Sequence, residues 1–251
     1  MTEEMKREPV NSALRKLPKI YAHRGASADF PEHTRQAYIA AIEQGADGFE
    51  CDVRLTKDSV PILWHDSTLE RTVGASGDIA ALTLKEIRNH YPDVMLFSEL
   101  LELAIAHKKD FAIETKHPVP TGREIETTIA QHLENKKKEI AKSGIEISIM
   151  SFSWFAIESV RRSLKEINTV ILLDTTTTRC AKRFTSAQTL GPSIEMIKEN
   201  PQLISKAKEE GKRLFIWTVD MPEDVEFCAQ NGVDVVITNK PAQARSVLGY
   251  P

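Results

Sequence analysis

The stretch Gly48-Phe49-Glu50-Cys51-Asp52-Val53-Arg54-Leu55 alternates between polar and apolar side chains. A period of two predicts a β-strand with Glu50 and Asp52 on one face and the apolar side chains on the other. The apolar face indicates that helices cover the strand, so the two carboxylates lie where an isolated charge is costly. A cation is the expected compensation.

A short link joins this strand to the next apolar run. Thr56-Lys57-Asp58-Ser59 precedes Val60-Pro61-Ile62-Leu63-Trp64, and a link of this length can form only an antiparallel hairpin, because a parallel crossover needs about a dozen residues or more. The second arm ends in His65-Asp66. The hairpin therefore returns His65 to the two carboxylates of the first arm, which favours a functional over a structural role for it.

The preceding strand ends in a histidine and an arginine. Ile20-Tyr21-Ala22 is typical of a short buried strand, and His23 and Arg24 follow it into a turn that Gly25 allows to bend tightly. Histidine titrates closest to neutral pH, and the arginine fork matches phosphate or carboxylate oxygens. The pair suits chemistry on an anionic ester.

Similar strands follow along the chain. Asp110-Phe111-Ala112-Ile113-Glu114-Thr115-Lys116 again carries two charges on one face near its C-terminal end. Predicted strands begin at about residues 19, 46, 111, 147, 169, 189, 214 and 234, and helical patterns separate them, including one from about Arg123 to Lys142. Eight strands alternating with helices over about 250 residues favour an α/β fold of the (β/α)8 TIM-barrel type over an open doubly wound sheet.

The domain organisation expected from the sequence is simple. Residues 1–17 are polar and are predicted to form a mobile N-terminal arm, and residues 18–251 a single barrel domain. After the hairpin, residues 67–97 are polar and irregular, which predicts a small insertion after the second strand. No run resembles a signal peptide or is long enough to span a bilayer.

Composition restricts the classes of partner and compartment. The net charge is −3, which gives no basic field for nucleic acid or for an acidic membrane. Cys51, Cys180 and Cys228 lie far apart without C-x-x-C spacing, which indicates neither a disulfide framework nor a zinc site. We therefore expect a cytoplasmic protein with a small-molecule substrate, no nucleic-acid partner and no stable membrane anchor.

The charged residues converge if the fold is a barrel, because active sites of such barrels lie at the C-terminal ends of the strands. The residues at those ends are His23, Arg24, Glu50, Asp52, Glu114 and Lys116, and the hairpin adds His65. Three carboxylates suit a hard divalent cation, two fixed cations suit a phosphate, and two histidines suit a general acid and base.

These residues resemble the motifs of the glycerophosphodiester phosphodiesterases over nearly the whole chain. The matching segments are His23-Arg24-Gly25, Pro31-Glu32-His33-Thr34, Glu50-Cys51-Asp52-Val53, Leu55-Thr56-Lys57-Asp58, His65-Asp66, Glu114-Thr115-Lys116, Ser151-Phe152, Trp217-Thr218-Val219 and the segment from Gly232-Val233-Asp234 to Asn239.

The resemblance implies metal-dependent hydrolysis of deacylated phospholipids to sn-glycerol 3-phosphate and an alcohol in a TIM barrel. One divalent cation, Ca²⁺ or Mg²⁺, would be bound by Glu50, Asp52 and Glu114. The implied catalytic residues are His23 and His65, and the residues implied near the phosphate are Arg24 and Lys116. Trp217 either lines the pocket beside the glycerol moiety, as the resemblance implies, or is a core residue of its strand.

The sequence departs from the family pattern at two positions. The family's loop usually reads Pro-Glu-Asn-Thr, whereas position 33 here is His, a bulkier side chain to which we assign no catalytic step. Asn239 stands where the family commonly has Asp, and we expect it to influence structure more than chemistry.

Two alternatives to the leading function remain at this stage. One is a lysophospholipase D-type activity on lysolipids, which requires an apolar entrance that the polar insertion gives little sign of. The other is a barrel that binds phosphodiesters without turnover, although binding alone requires no proton-transfer pair. The sequence leaves open the head group, the metal, the role of the insertion and whether the chain forms a homo-oligomer.

Overall fold

The strands and helices alternate along residues 16–175, 177 and 185–250, which a computed structural model describes. The strands are β1 (Lys19–His23), β2 (Gly48–Leu55), β3 (Pro61–Leu63), β4 (Asp110–Thr115), β5 (Ile147–Ser151), β6 (Asn168–Leu173), β7 (Thr189–Pro192), β8 (Arg213–Ile216) and β9 (Val235–Thr238). The helices are α1 (Arg35–Glu43), α2 (Glu70–Val73), α3 (Leu84–His90), α4 (Phe97–His107), α5 (Glu124–Asn135), α6 (Lys137–Ser143), α7 (Trp154–Ser163), α8 (Ile194–Glu199), α9 (Gln202–Glu209), α10 (Pro222–Gln230) and α11 (Pro241–Leu248).

The sheet closes on itself as a parallel barrel. Parallel pairing runs from β2 through β4 to β9 in chain order, and β1 pairs with both β2 and β9. The predicted (β/α)8 barrel is therefore confirmed. The predicted hairpin is also present, because β3 pairs antiparallel with the outer end of β2, with Arg54 opposite Ile62.

Alternate residues of the barrel strands fill the interior. A buried cluster joins Tyr21, Ala112, Met150, Val170, Leu172, Phe215, Val235 and Ile237. Because side chains of one strand face inward at every second position, the next inward positions toward the C-terminal ends include His23, Glu114 and Trp217. The same alternation that packs the core thus places polar side chains at the barrel mouth.

The region from the hairpin to residue 97 has an apolar cluster of its own. It contains Ile62, Trp64, Leu69, Ile79, Ile87 and Val94. Trp64 Nε1 donates to the Thr68 carbonyl at 2.9 Å, and the Leu69 amide donates to the Gly77 carbonyl at 3.0 Å. The predicted insertion therefore holds the short helix α2 against the hairpin that carries His65.

One predicted helix is interrupted in the structure, and another begins at a capping serine. The helix predicted from Arg123 to Lys142 is two helices, α5 and α6, since Lys136 has φ −106° and ψ 12° and interrupts the helical backbone. Helix α7 begins at Trp154, where the side chain of Ser153 accepts a hydrogen bond from the Ala156 amide.

Several predictions concern the ends of the chain or residues outside the described part. Of the arm predicted over residues 1–17, only the last two residues are described, and Cys180 also lies outside the described residues. Cys51 and Cys228 are buried free thiols. Among the described helices, none combines the length and the apolar character that crossing a bilayer requires.

Position 25 requires glycine for two reasons, its backbone conformation and the atoms that surround it. Its φ is +88°, and a Cβ there would lie 2.7 Å from the carbonyl carbon and the Cβ of Ala37. We expect Gly25→Ala to lower the free energy of unfolding by about 1–3 kcal/mol more than a strain-only control, because α1 would have to shift. Denaturant unfolding measures this.

The control is Gly74→Ala. Gly74 has a similar φ of +67°, but a Cβ there meets nothing within 4 Å, so this variant reports backbone strain alone. Equal losses of stability in the two variants would contradict the expected clash with Ala37.

Candidate active site

A pocket of about 220 Å³ lies at the C-terminal ends of the barrel strands. One side is polar and comes from β1, β2, the hairpin and β4; its side chains are His23, Arg24, Glu50, His65, Glu114 and Lys116. The other side is largely apolar and comes from β5, β6, β8 and β9; its side chains are Met150, Phe152, Leu172, Trp217, Thr218 and Ile237. A charged group of a ligand would therefore lie against the first half and its carbon atoms against the second.

The hydrogen bonds around His23 determine which nitrogen carries its proton. Asn239 donates its Nδ2 to Asp220 at 2.6 Å, so its Oδ1 faces His23 and accepts from Nδ1 at 2.7 Å. Ser27 Oγ donates to the same oxygen at 2.7 Å. His23 Nε2 is left as the basic nitrogen, 3.8 Å from Glu50 Oε2. Burial, reinforced by the neighbouring arginine, lowers the pKa of His23 to about 4.

His65 has the same protonation pattern. Its Nδ1 lies 2.7 Å from Asp66 Oδ1, and an ionised carboxylate only accepts, so Nδ1 carries the proton and Nε2 is free. The main chain is fixed on both sides, since the Trp64 amide donates to the Asp52 carbonyl at 3.0 Å and Arg54 Nε donates to the His65 carbonyl at 3.0 Å. Burial lowers the pKa of His65. Both histidines are therefore neutral at neutral pH.

Three carboxylates could hold a metal ion. One oxygen each of Glu50, Asp52 and Glu114 lie within 4.8 Å of one another, and all three residues are buried. Burial and the charge of Asp52 raise the pKa of Glu50 well above its usual value. Burial also raises the pKa of Glu114, to about 7, against the opposing effect of Lys116. The positive charge near the cluster is therefore too small to keep all three carboxylates ionised.

Asp52 stays ionised because cations and donors surround it. Lys116 Nζ lies 2.7 Å from Asp52 Oδ1 and 2.7 Å from Glu114 Oε1, and Arg24 Nε lies 3.0 Å from Asp52 Oδ2. Burial alone would raise the pKa of Asp52, but Lys116, His33 and Arg24 lower it well below its usual value. Asp52 Oδ1 is buried and, despite the ion pair, lacks a hydrogen bond of good geometry.

His33 orients Asp52. Its Nε2 lies 2.9 Å from Asp52 Oδ2, and its Nδ1 lies 2.9 Å from the hydroxyl of Tyr38. Burial lowers the pKa of His33, and Nε2 donates to the carboxylate, which can only accept. The Tyr38 hydroxyl beside Nδ1 also donates to the Glu50 carbonyl at 3.3 Å. The residue that replaces the family's usual Asn is therefore a buried support of a predicted metal ligand.

Arg24 is held by acidic groups on two sides. Besides Asp52, its guanidinium contacts Glu32, with Nη1 3.3 Å from each carboxylate oxygen, and its amide donates to Glu50 Oε2 at 3.1 Å. These carboxylates raise its pKa although burial opposes them. Arg24 is therefore a fixed cation in the pocket wall.

Trp217 lies in the pocket wall and is half-buried. Its Nε1 donates to the Gly191 carbonyl at 2.7 Å, and its ring meets the Phe152 ring edge-on with centroids 5.5 Å apart. The hydrogen bond fixes the polar edge of the indole, which leaves its apolar surface for the pocket.

The structure brings the predicted site residues together. Seven of the eight line the pocket, and Asp52 is fully buried in contact with Lys116 and Arg24. What each of them does there stays a prediction.

Sequence reasoning missed several partners. Asn239, which we expected to influence structure more than chemistry, is instead bonded directly to His23. Its position just after β9, at the mouth, was the available signal. Glu32 and Asp66 lie in motifs that assign them no partners, and Arg71 lies in the segment predicted to be a polar, irregular insertion.

Comparisons with known proteins agree with the barrel fold. A profile described as "Glycerophosphoryl diester phosphodiesterase family" matches residues 23–243. The chain is 34% identical over 254 residues to the Mycobacterium tuberculosis protein named "Probable glycerophosphodiester phosphodiesterase 1", covering 92% of each chain. It is 31% identical to "Glycerophosphodiester phosphodiesterase" of Caldanaerobacter subterraneus, covering 88% of this chain and 94% of that protein.

Solved structures share the same fold. An Oleispira antarctica phosphodiesterase, solved in complex with the product sn-glycerol-3-phosphate, superposes with a TM-score of 0.80 at 24% identity, covering 93% of this chain and 97% of that one. The glycerophosphodiester phosphodiesterase of Thermotoga maritima gives a TM-score of 0.75 at 23% identity, with coverage of 90% and 96%.

Proposed function

Since the chain belongs to the glycerophosphoryl diester phosphodiesterase family, we propose that it hydrolyses glycerophosphodiesters to sn-glycerol 3-phosphate and an alcohol. The observation that carries the proposal is the pair of neutral histidines, each with Nδ1 engaged and Nε2 free, in one pocket with two fixed cations and a carboxylate cluster. A proton-transfer pair of this kind serves turnover, and a barrel that only binds phosphodiesters would have no use for it.

The proposed cofactor is one divalent cation, Ca²⁺ or Mg²⁺, held by Glu50, Asp52 and Glu114. The donor set fits, because it consists of carboxylate oxygens, contains a buried oxygen without a well-formed hydrogen bond, and carries raised pKa values that added positive charge would reverse. When bound, the ion would supply charge neutralisation for the phosphate. Charge balance would then depend less on Lys116.

The chain's own residues account for binding and proton transfer. Arg24 and Lys116 bind the phosphate oxygens, and Trp217 lies against the glycerol carbons. One histidine takes the proton of the glycerol 2-hydroxyl through Nε2 while that oxygen attacks phosphorus. The other takes up a proton from solvent at Nε2 when the anionic phosphate binds beside it, and gives that proton to the departing alcohol as the phosphorus–oxygen bond breaks. Water then opens the cyclic phosphate with the two roles reversed.

The side chains around the two histidines favour a hydroxyl of the substrate itself as the nucleophile. Asp66 and Asn239 occupy their Nδ1 atoms, and the described residues of the pocket wall include neither a serine nor a cysteine. Thr218 of that wall is hydrogen-bonded to neither histidine, so the described wall holds no activated nucleophile for a covalent route. The neighbouring hydroxyl of the substrate gains from proximity what free water loses on being ordered.

The test compares three diesters in the presence of Ca²⁺, Mg²⁺ or a chelator. We expect turnover of glycerophosphocholine and glycerophosphoethanolamine that the chelator abolishes and added metal restores. An analogue with hydrogen in place of the 2-hydroxyl should bind but turn over at least about 100-fold more slowly, because it lacks the internal nucleophile. Comparable rates for the analogue would instead indicate attack by water, and no turnover of any diester would overturn the proposed function.

A second candidate function is lysophospholipase D-type activity. The polar insertion offers little sign of an apolar entrance, but exposed apolar side chains lie on other segments at the C-terminal ends of the strands. Phe152, Met221 and Phe155 are 38%, 49% and 77% exposed on segments that follow β5 and β8, and Phe152 also lines the pocket. Such a surface suits an alkyl chain. Hydrolysis of lysophosphatidylcholine in the same assay would support it.

The expected cytoplasmic location stays a prediction, as does the division into a mobile arm and one domain.

A further inference from the structure

Arg71 of helix α2 joins two acidic residues that belong to different parts of the active site. Its Nη2 and Nη1 donate to Glu32 at 2.7 and 3.0 Å, and its Nε donates to Asp66. Glu32 in turn contacts Arg24, and Asp66 holds His65 at 2.7 Å. A continuous chain of charged contacts therefore runs from the pocket arginine to the pocket histidine by way of the insertion.

The planar fork of Arg71 is what allows one side chain to serve both carboxylates. Two of its nitrogens face Glu32 as a bidentate pair and a third faces Asp66, an arrangement that the single ammonium of a lysine cannot reproduce. These contacts raise the pKa of Arg71 and lower those of Glu32 and Asp66.

The position of the fork depends on the fold of the insertion. Leu69, just before α2, is fully buried in the apolar cluster of the insertion, and its amide is bonded to the Gly77 carbonyl. Arg71 itself is half-exposed, so its ion pairs add little to overall stability. Its contacts are instead with the two carboxylates that hold Arg24 and His65 in the pocket wall.

We propose that Arg71 is a positioning residue of the phosphodiesterase reaction, and that the insertion completes the active site by supplying it. Through Asp66 it holds the His65 ring with Nε2 toward the pocket, and through Glu32 it holds Arg24. Without Arg71, Asp66 would be free to turn away and His65 could adopt the other tautomer. The effect on turnover rests on the proposed function, whereas the effect on His65 does not.

The experiment compares Arg71→Ala and Arg71→Lys with Arg88→Ala, which removes an exposed arginine of the same insertion. For glycerophosphocholine, we expect kcat of both Arg71 variants to fall about 10–100-fold, since small misplacement of a reacting group costs rates of this order. The melting temperature should match that of Arg88→Ala. Values of kcat within about twofold of the Arg88→Ala control would overturn the proposal.

A double-mutant cycle tests whether Arg71 acts through Asp66. Asp66→Ala should lower kcat by itself, and adding Arg71→Ala should then lower it by less than about threefold, because the route to His65 is already gone and Arg24 keeps its own contacts with Asp52 and Glu32 when Arg71 is absent. Fully additive losses would mean that Arg71 acts by another route, and the proposal would fail.

A final readout does not depend on turnover. In ¹⁵N spectra of histidine-labelled protein, His65 should show the Nδ1-protonated tautomer in the wild type and a mixture in Arg71→Ala. An unchanged tautomer would contradict the positioning role. The wild type could hydrolyse no diester while Arg71→Ala still loses the Nδ1-protonated tautomer of His65. In that case the positioning role would stand, and only the proposed function would fail.

Discussion

Replacing His23 or His65 with alanine is expected to lower kcat for glycerophosphocholine by about 10²–10⁴-fold, the range usual for loss of a general acid or base. Each ring presents a free Nε2 to the pocket. Because both rings are neutral, neither supplies a charge on which a neighbouring carboxylate depends. Since Arg24 and Lys116 carry the contacts to phosphate, KM should change by only a few-fold. Steady-state kinetics on both variants, with the melting temperature measured alongside, make the comparison.

His107→Ala is the matched control. His107 is exposed at the end of α4, just before β4 begins, and therefore lies at the opposite end of the barrel from the pocket. Its kcat should equal that of the wild type. Near-normal turnover by the His65 variant would show that His65 has a structural role. The mechanism could then no longer rest on a pair of proton-transferring histidines.

The second large effect concerns the carboxylates. Asp52→Asn should weaken binding of Ca²⁺ or Mg²⁺ at least about tenfold and lower activity in parallel, because it removes the anionic oxygen around which Lys116, Arg24 and His33 are arranged. Asparagine preserves the shape of the side chain, so the barrel should still form. Titration calorimetry with each ion measures the affinity without reference to turnover.

Asp110→Asn separates metal binding from the loss of any buried carboxylate. Asp110 is a buried acid at the start of β4, where Tyr21 donates to it at 3.0 Å and Lys19 pairs with it at 2.5 Å. This variant should lose stability but keep the wild-type metal affinity. Unchanged affinity in Asp52→Asn, or an equal loss in both variants, would remove Asp52 from the proposed ligands.

The sequence was sufficient for those features that depend on local spacing. Strand alternation located Glu50 and Asp52 on one face, and the short link before Val60 forced an antiparallel return that brought His65 to the mouth. Both arguments need only the chain's geometry over a few residues, and the rule that barrel sites lie at strand ends did the rest.

Contacts between distant segments were beyond that reasoning. Asn239 and His23 are 216 positions apart, and Arg71 reaches Glu32 across 39 positions, so no local period reports either pair. Arg71 stands in a segment whose apolar residues follow no regular period, although they form a cluster once folded. The break between α5 and α6 was also missed, because a run of three lysines from Lys136 is as compatible with one helix as with two.

The two sides of the pocket come from different parts of the chain. Among the described wall residues, every charged or histidine side chain precedes position 117, whereas the largely apolar side, which includes Thr218, follows position 149. Provided that Asn239 and its partner Asp220 are kept to hold His23, variation in the later part can therefore reshape which organic groups are accepted while the earlier part keeps the chemistry unchanged. For directed evolution of substrate range, the productive library lies in the segments that follow β5 and β8, and recombination between relatives with a crossover near α5 would exchange specificity as a block.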